Sequence, residues 1–467
     1  MTEAATPTVI LLEFNELSPQ LMDRFIAEGE LPNFQRLHAE AQVYVTRAVE
    51  EPPFLEPWIQ WVNVHSGLNY ERHKIFELDE GQKLTVPCIW DVLSSAGLRV
   101  GICGSMNVRY ETPLNGYVLP DPWSTVVAPY PTSLQSYCRF VQKNVTEHTN
   151  ERLPLTKAEY FDFARFMLRR GLSFNTVTAL IRQLLSERTR QTRWKRAVIL
   201  DRLQFDVFHY YFKKLQPHFS TFFLNSTAHF QHLYWRNMEP EHFKIKPTSD
   251  EQALLNRAIL FGYQEMDRLV ERFRKLCGPN TTLILCSALS QQACLKYEDH
   301  GGKCFHRPKG FAELLAFAGV TTPYHVSPLM SEEFHLYFNS ERDALAAEAQ
   351  LRELQLGGEG VLRIRRENVV LSGGCSIFHP VARTAALTAS GSGRSVPFFD
   401  MFYQAEGMKS GMHHPDGLLW IRYPNHSHQV HTGKASLVSI APTILDVFGV
   451  PRPVHMTGPS LLSRHVA

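Results

Sequence analysis

No run in the sequence approaches the ~20 consecutive apolar residues that a bilayer-spanning helix needs. The short run Val9-Ile10-Leu11-Leu12 is broken by Glu13, is too brief for the core of a secretory signal, and has no basic stretch before it. Net charge is nearly absent: 48 Lys and Arg against 46 Asp and Glu leave +2 in 467 residues. Such a balance, without a clustered basic face, argues against nucleic acid as a partner. Cysteine is sparse and scattered, with 8 residues at 88, 103, 138, 277, 286, 294, 304 and 375. They read as buried thiols of a reducing compartment, so a cytoplasmic protein is expected. Cys294, Cys304 and His306 fit no common zinc spacing. Repeats, heptads and collagen-type glycine periods are also missing. With 44% hydrophobic and 20% charged residues, the composition is that of a globular protein.

What is present is a rhythm of strands and helices. Thr8 to Leu12 reads as a buried strand running into polar residues, and Ser18-Pro19 opens a helix through Ile26, with serine as cap and proline at the first helical position. Cys88 to Ala96 reads as a helix closed by Gly97, followed by a strand from Arg99 to Cys103. Thr221 to Leu224 and Leu283 to Cys286 repeat the apolar strand with a polar end, and Leu254 to Leu276 reads as one long amphipathic helix between them. This alternation predicts an α/β fold with a largely parallel central sheet covered by helices on both faces.

Two regions interrupt the rhythm. Residues 130–215 read as helical and basic, with Arg165, Arg169, Arg170, Arg182, Arg188, Arg190, Arg193, Lys195 and Arg196. They are expected to form an inserted cap, either a solvated face or a lid that attracts an anionic substrate. Residues 325–395 predict a small α+β insertion: a strand near Phe334 to Phe338, a helix from Ser340 to Leu354, and a strand near Val361 to Arg365. Thr388 to Ser395 reads as a flexible loop. The core is then 1–129, 216–324 and 396–467.

Several segments, in order, resemble the type I phosphodiesterase and nucleotide pyrophosphatase branch of the alkaline-phosphatase superfamily. They are Asn15-Glu16-Leu17-Ser18-Pro19, Gly29 to Leu37, Ser66-Gly67 with His73-Lys74-Ile75-Phe76, Ile89 to Leu93, His232-Leu233-Tyr234-Trp235, Gly411 to Gly417, and Ile440 to Asp446. The resemblance implies an alkaline-phosphatase-like sandwich. It also implies a hydrolase or transferase acting on a phosphoester, phosphodiester or sulfoester. Members use two metal ions, usually zinc, with a serine or threonine nucleophile. Here Asn15 stands at a ligand aspartate, Ala228 at another, and Ser287-Ala288-Leu289-Ser290 at the aspartate-histidine block. The nucleophile position falls on Leu55 or Pro57. A two-zinc site is therefore not expected.

In a doubly wound sheet the strand ends face one crevice. Candidate catalytic groups there are His232, His413, Glu56 and Glu13. Candidate substrate-binding groups are Asn15, Glu16, His65, His229, Ser287, Gln291 and His414. Three readings stay open: metal-free acid/base catalysis, one divalent ion (zinc above all) on His232 and His413 with a further histidine or a glutamate, or a pseudoenzyme that binds a phosphorylated or glycan ligand or a protein. The expected partner is an anionic small molecule or glycan. The tract Asn425-His426-Ser427-His428 reads as a run of polar side chains facing solvent.

Overall fold

The computed structural model describes residues 6–146, 155–189, 191–328, 333–425 and 428–462. Arg190, His426 and Ser427 therefore lie outside the described residues. Strands Thr8–Phe14 (β1), Gln42–Arg47 (β2), Val100–Cys103 (β3), Gly116–Leu119 (β4), Phe219–Leu224 (β5) and Thr281–Ser287 (β6) join Asp416–Arg422 and Gln429–Ser436 in an eight-stranded sheet. The order is Gln429–Ser436, β2, Asp416–Arg422, β6, β1, β5, β3, β4. Asp416–Arg422 pairs antiparallel with both neighbours, and the other pairings are parallel. The sheet is thus largely parallel, as the strand-helix rhythm predicted, and the carboxyl ends of β1, β5 and β6 share one edge.

Alternation along β1 sorts its side chains between two cores. Ile10, Leu12 and Phe14 pack with Phe25 of the helix Pro19–Ala27 (α1) and Phe34 of Pro32–Ala39 (α2), while Val9 and Leu11 pack with Trp61 of Pro57–Ser66 (α3). Each fully buried side chain of this size contributes about 1.5–3 kcal/mol of burial free energy. Ser18 caps α1, its Oγ accepting from Leu21 N, and Pro19 opens the helix. At the far end of α3, Gly67 adopts φ +67 and stops the helix.

The expected helix from Leu254 to Leu276 is two helices, Ser249–Leu255 and Ala258–Arg274. Thr248 and Glu251 form a capping box that starts the first, and Asn256 caps its end, so the apolar periodicity hid a break. The loop expected over Thr388 to Ser395 is instead a hairpin of Ala386–Ala389 with Arg394–Pro397, turned at Gly393 (φ +66). Its glycine and serine residues serve a tight turn, not a linker.

The described residues between 135 and 215 are mainly helical, among them Lys157–Arg169, Phe174–Thr189 and Ala197–Leu215, and Phe166, Met167, Leu203 and Phe208 from this stretch join the core beside α1 and α2. A third apolar core lies within the smaller sheets and draws in Phe311, Leu314, Phe398 and Phe402 as well as residues of 325–395. All eight cysteines lie among the described residues, and none is joined to another of them by a disulfide. Among the described residues no helix is long and apolar enough to cross a membrane.

Candidate functional site

The site starts where β1 stops. Asn15 N still bonds Leu224 O across to β5, and then Glu16 turns left-handed at φ +62. That conformation is strained for a residue with a Cβ, by about 1–3 kcal/mol, and it is held by surrounding bonds. Gln231 Nε2 donates to the Glu16 carbonyl at 2.7 Å, and Tyr263 donates to Gln231 Oε1 at 3.0 Å. The strain aims the Glu16 carboxylate at two imidazoles.

His232 comes from the helix Ser226–Met238, which begins directly after β5. His413 comes from the strand Gly411–His414, which pairs antiparallel with Ser290–Ala293 (β7) so that His413 stands opposite Gln291. Glu16 Oε2 lies 3.2 Å from His232 Nε2 and 3.7 Å from His413 Nε2. Gln291 Nε2 donates to the same oxygen and, at 3.0 Å, to Ala228 O. Gly411 is required for this packing, because a Cβ there would meet Gln291 Oε1 at 2.3 Å and Gln231 O at 2.4 Å.

The far side of each imidazole assigns its tautomer. His413 Nδ1 lies 3.0 Å from Leu55 O, a backbone acceptor, so its Nδ1 carries the hydrogen, whereas His232 stands with Nδ1 3.4 Å from Gly411 O and Nε2 3.2 Å from Glu16 Oε2. Burial is the largest influence on His413 and lowers it to about 4, helped by His232 and Lys409 and opposed by Glu16 and the Leu55 carbonyl. For Glu16 burial acts upward, but His413, His232 and the bond from Gln291 outweigh it and hold the carboxyl at about 2. The Glu16 carboxylate is therefore ionised near neutrality and faces the Nε2 atoms of both imidazoles.

One carboxylate and two imidazoles gathered at one point are residue types that could hold a metal ion. One donor atom from each of Glu16, His232 and His413 lies within 4.8 Å of the other two. A tetrahedral zinc ion with bonds of about 2.0–2.1 Å separates its ligand atoms by about 3.3 Å, close to the two spacings here. The side chains of His232 and His413 keep 27% and 15% of their exposure, so the group opens to solvent on one side. The sequence placed His232 and His413 among metal ligands but gave Glu16 to substrate.

Asn15 occupies a different role from a ligand. Its Oδ1 accepts from Trp61 Nε1 at 2.8 Å, and its Nδ2 donates to Glu16 Oε1 at 2.9 Å and Asn225 Oδ1 at 2.8 Å. Trp61 and Asn225 were not anticipated, since only the folded chain brings them beside residue 15. Glu56 precedes α3, with Oε2 3.4 Å from His413 Nδ1 and 32% of its side chain exposed. Burial pushes its carboxyl up to about 8, opposed by Lys409 and Lys303 and reinforced by Glu16 and Glu333.

Other sequence candidates lie elsewhere. Glu13 follows the parity of Val9 and Leu11, so it points beneath the sheet toward α3 instead of out of the strand end. It is fully buried and its Oε1 bonds His65 Nε2 at 2.8 Å. His65 is itself 2% exposed, between Trp61 and Trp90. Neither residue reaches the crevice as a catalytic or substrate-binding group. Ser287 Oγ accepts from Leu17 N and donates to Leu289 O, which braces the β1 turn and leaves no donor for a substrate. His414 Nδ1 accepts from Asp416 N at 3.2 Å and shapes the entry to the next strand. His229 is exposed and stands outside the Glu16, His232 and His413 group.

No protein-family model and no curated protein sequence matches the chain. Among solved structures it is similar to murine ectonucleotide pyrophosphatase/phosphodiesterase 5. An inactive form in complex with AMP matches at 9% identity and a TM-score of 0.42, covering 96% of each chain. A second structure of that protein matches at 10% identity and a TM-score of 0.41, again over 96% of each chain.

Proposed function

We propose that the chain is a hydrolase or transferase for a phosphoester, phosphodiester or sulfoester anion, built around one divalent ion on Glu16, His232 and His413. The observation that carries the proposal is the convergence of both Nε2 atoms on Glu16 Oε2. A divalent ion held there supplies Lewis acidity to an oxygen of the anionic substrate.

The chain's own groups do the rest. Leu55 O and Gly411 O fix the two ring orientations, Gln291 fixes Glu16 Oε2, and Asn15 fixes Glu16 Oε1. Glu56, beside His413 and open to solvent, is the carboxyl placed to give or take a proton at the reacting oxygen. Neither Leu55 nor Pro57 offers a nucleophilic oxygen, so water is the attacking group in hydrolysis. A second ion is disfavoured: Asn15 spends its amide on three neighbours, and Ala228 and Ala288 carry no donor atom. The scattered cysteines of the sequence favour a cytoplasmic location as part of this proposal.

Elemental analysis of protein purified without added metal, paired with turnover of an activated phosphodiester and an activated sulfate ester, tests this. One ion per chain that is lost in His232→Ala and His413→Ala, together with the activity, is expected. Two tightly held ions would overturn the reading. An ion without turnover would leave a binding protein, which is favoured only by the missing nucleophile.

A further inference from the structure

The helices Lys157–Arg169 and Phe174–Thr189 carry an apolar surface that nothing in the described chain covers. On the first, Tyr160, Phe161 and Leu168 are 53%, 67% and 74% exposed. On the second, Phe174 is 83% exposed and Ile181, Leu184 and Leu185 are 53–59% exposed. No other stretch of this length among the described residues exposes as many large apolar side chains. Leu168 and Phe174 flank the short turn 170–173, so the two apolar faces meet at one end. The spacing 174, 181, 185 follows one helical face, and 161, 168 follows another.

The charges beside this surface are predominantly positive. Arg165, Arg169, Arg182 and Arg188 are exposed. Glu159 and Glu187, the carboxylates that could offset them, are turned to Lys143 and Arg196, which leaves Asp162 as the acidic group of these helices outside a salt bridge. The buried residues Phe166, Met167 and Thr176 face the other way, into the protein. Apolar side chains with arginines around them, on helices lying along a surface, match the chemistry of an anionic lipid leaflet: acyl chains take the rings and lipid phosphates take the guanidiniums.

We infer that these two helices dock the protein on anionic membrane surfaces, with Phe161, Leu168, Phe174 and Leu185 entering the interface. This docking is independent of the metal site and stands or falls without it. The charge balance of the whole chain hides it, because the arginines act locally and within a Debye length.

The test is co-sedimentation of the full chain with vesicles of phosphatidylcholine alone or with added phosphatidylglycerol. Binding to the anionic vesicles, weakened at least tenfold by raised salt, is expected. Phe161→Ser combined with Phe174→Ser should abolish it while melting temperature and quaternary state stay unchanged. Arg165→Gln with Arg182→Gln should reduce the preference for phosphatidylglycerol and leave the protein folded. Absence of binding to either vesicle, or binding that the double phenylalanine variant retains, would overturn the inference. So would a dimer in solution that the same variant converts to monomer, since a second copy would then be the occupant.

Discussion

The Nδ1 of His413 lies 3.0 Å from the backbone carbonyl of Leu55, and this bond decides which face of the imidazole is offered to Glu16. A carbonyl can only accept, so the hydrogen sits on Nδ1 and the lone pair of Nε2 points inward. Since a backbone atom makes the choice, no substitution at residue 55 that preserves the chain path changes it.

Gln291→Ala removes the donor that orients Glu16 Oε2 without removing a ligand. Such outer partners are worth about 10–100-fold in metal affinity, and a loss in that range is expected by chelator competition. An unchanged affinity would mean that Glu16 does not bind the ion through Oε2.

Asn15→Asp restores a carboxylate at a position where the amide now donates to Glu16 and Asn225. Two carboxylates would then face each other in a buried place, and one donor would be lost. Chemical denaturation of the metal-free protein should show a loss of about 1–3 kcal/mol. The loss should shrink as pH falls below the carboxylate range.

Gly411→Ala places a methyl group against Gln231 O and Gln291 Oε1, and the first of these is backbone that cannot swing aside. Overpacking of this kind costs about 1–3 kcal/mol. The helix carrying His232 and the strand carrying His413 must separate, so metal content and thermal stability should fall together.

Asp201 is buried against Ser226, and burial with the nearby Glu265 raises it to about 7, opposed by Ser226 and Arg202. The folded state therefore holds a proton that the unfolded chain releases near 3.9. Stability from this group is complete below that value and is lost as pH rises toward 7. Asp201→Asn should match the parent near pH 4 and exceed it by about 1–4 kcal/mol at pH 8, measured by urea unfolding.

Much of the scaffold was legible because it rests on local chemistry. Ser18-Pro19 announces α1, and the apolar runs ending at Leu12, Leu224 and Cys286 announce the strands that frame the site, which extend to Phe14, Leu224 and Ser287. His232 and His413 could be singled out from the resemblance, and the structure brings them together. Three features were beyond reach for stated physical reasons. The left-handed turn at Glu16 is imposed by Gln231 and Tyr263 from more than 200 positions away, so no local propensity signals it. Glu13 was misplaced because its direction depends on where β1 ends, and a shift of one residue exchanges the two faces of a strand. The break at Asn256 was masked by apolar spacing that continues on both sides of it.

In the eight-stranded sheet the antiparallel strand, Asp416–Arg422, fills the slot between β2 and β6. Until the ribosome has delivered it, both neighbours keep an open edge, and Tyr44 waits for Leu419 while Leu285 waits for Trp420. His413 arrives just ahead of that strand. During synthesis the nascent protein therefore carries β2 unpaired on both sides and β6 open on one, and a chaperone that shields β2 and β6 would serve it better than one that shields its amino terminus.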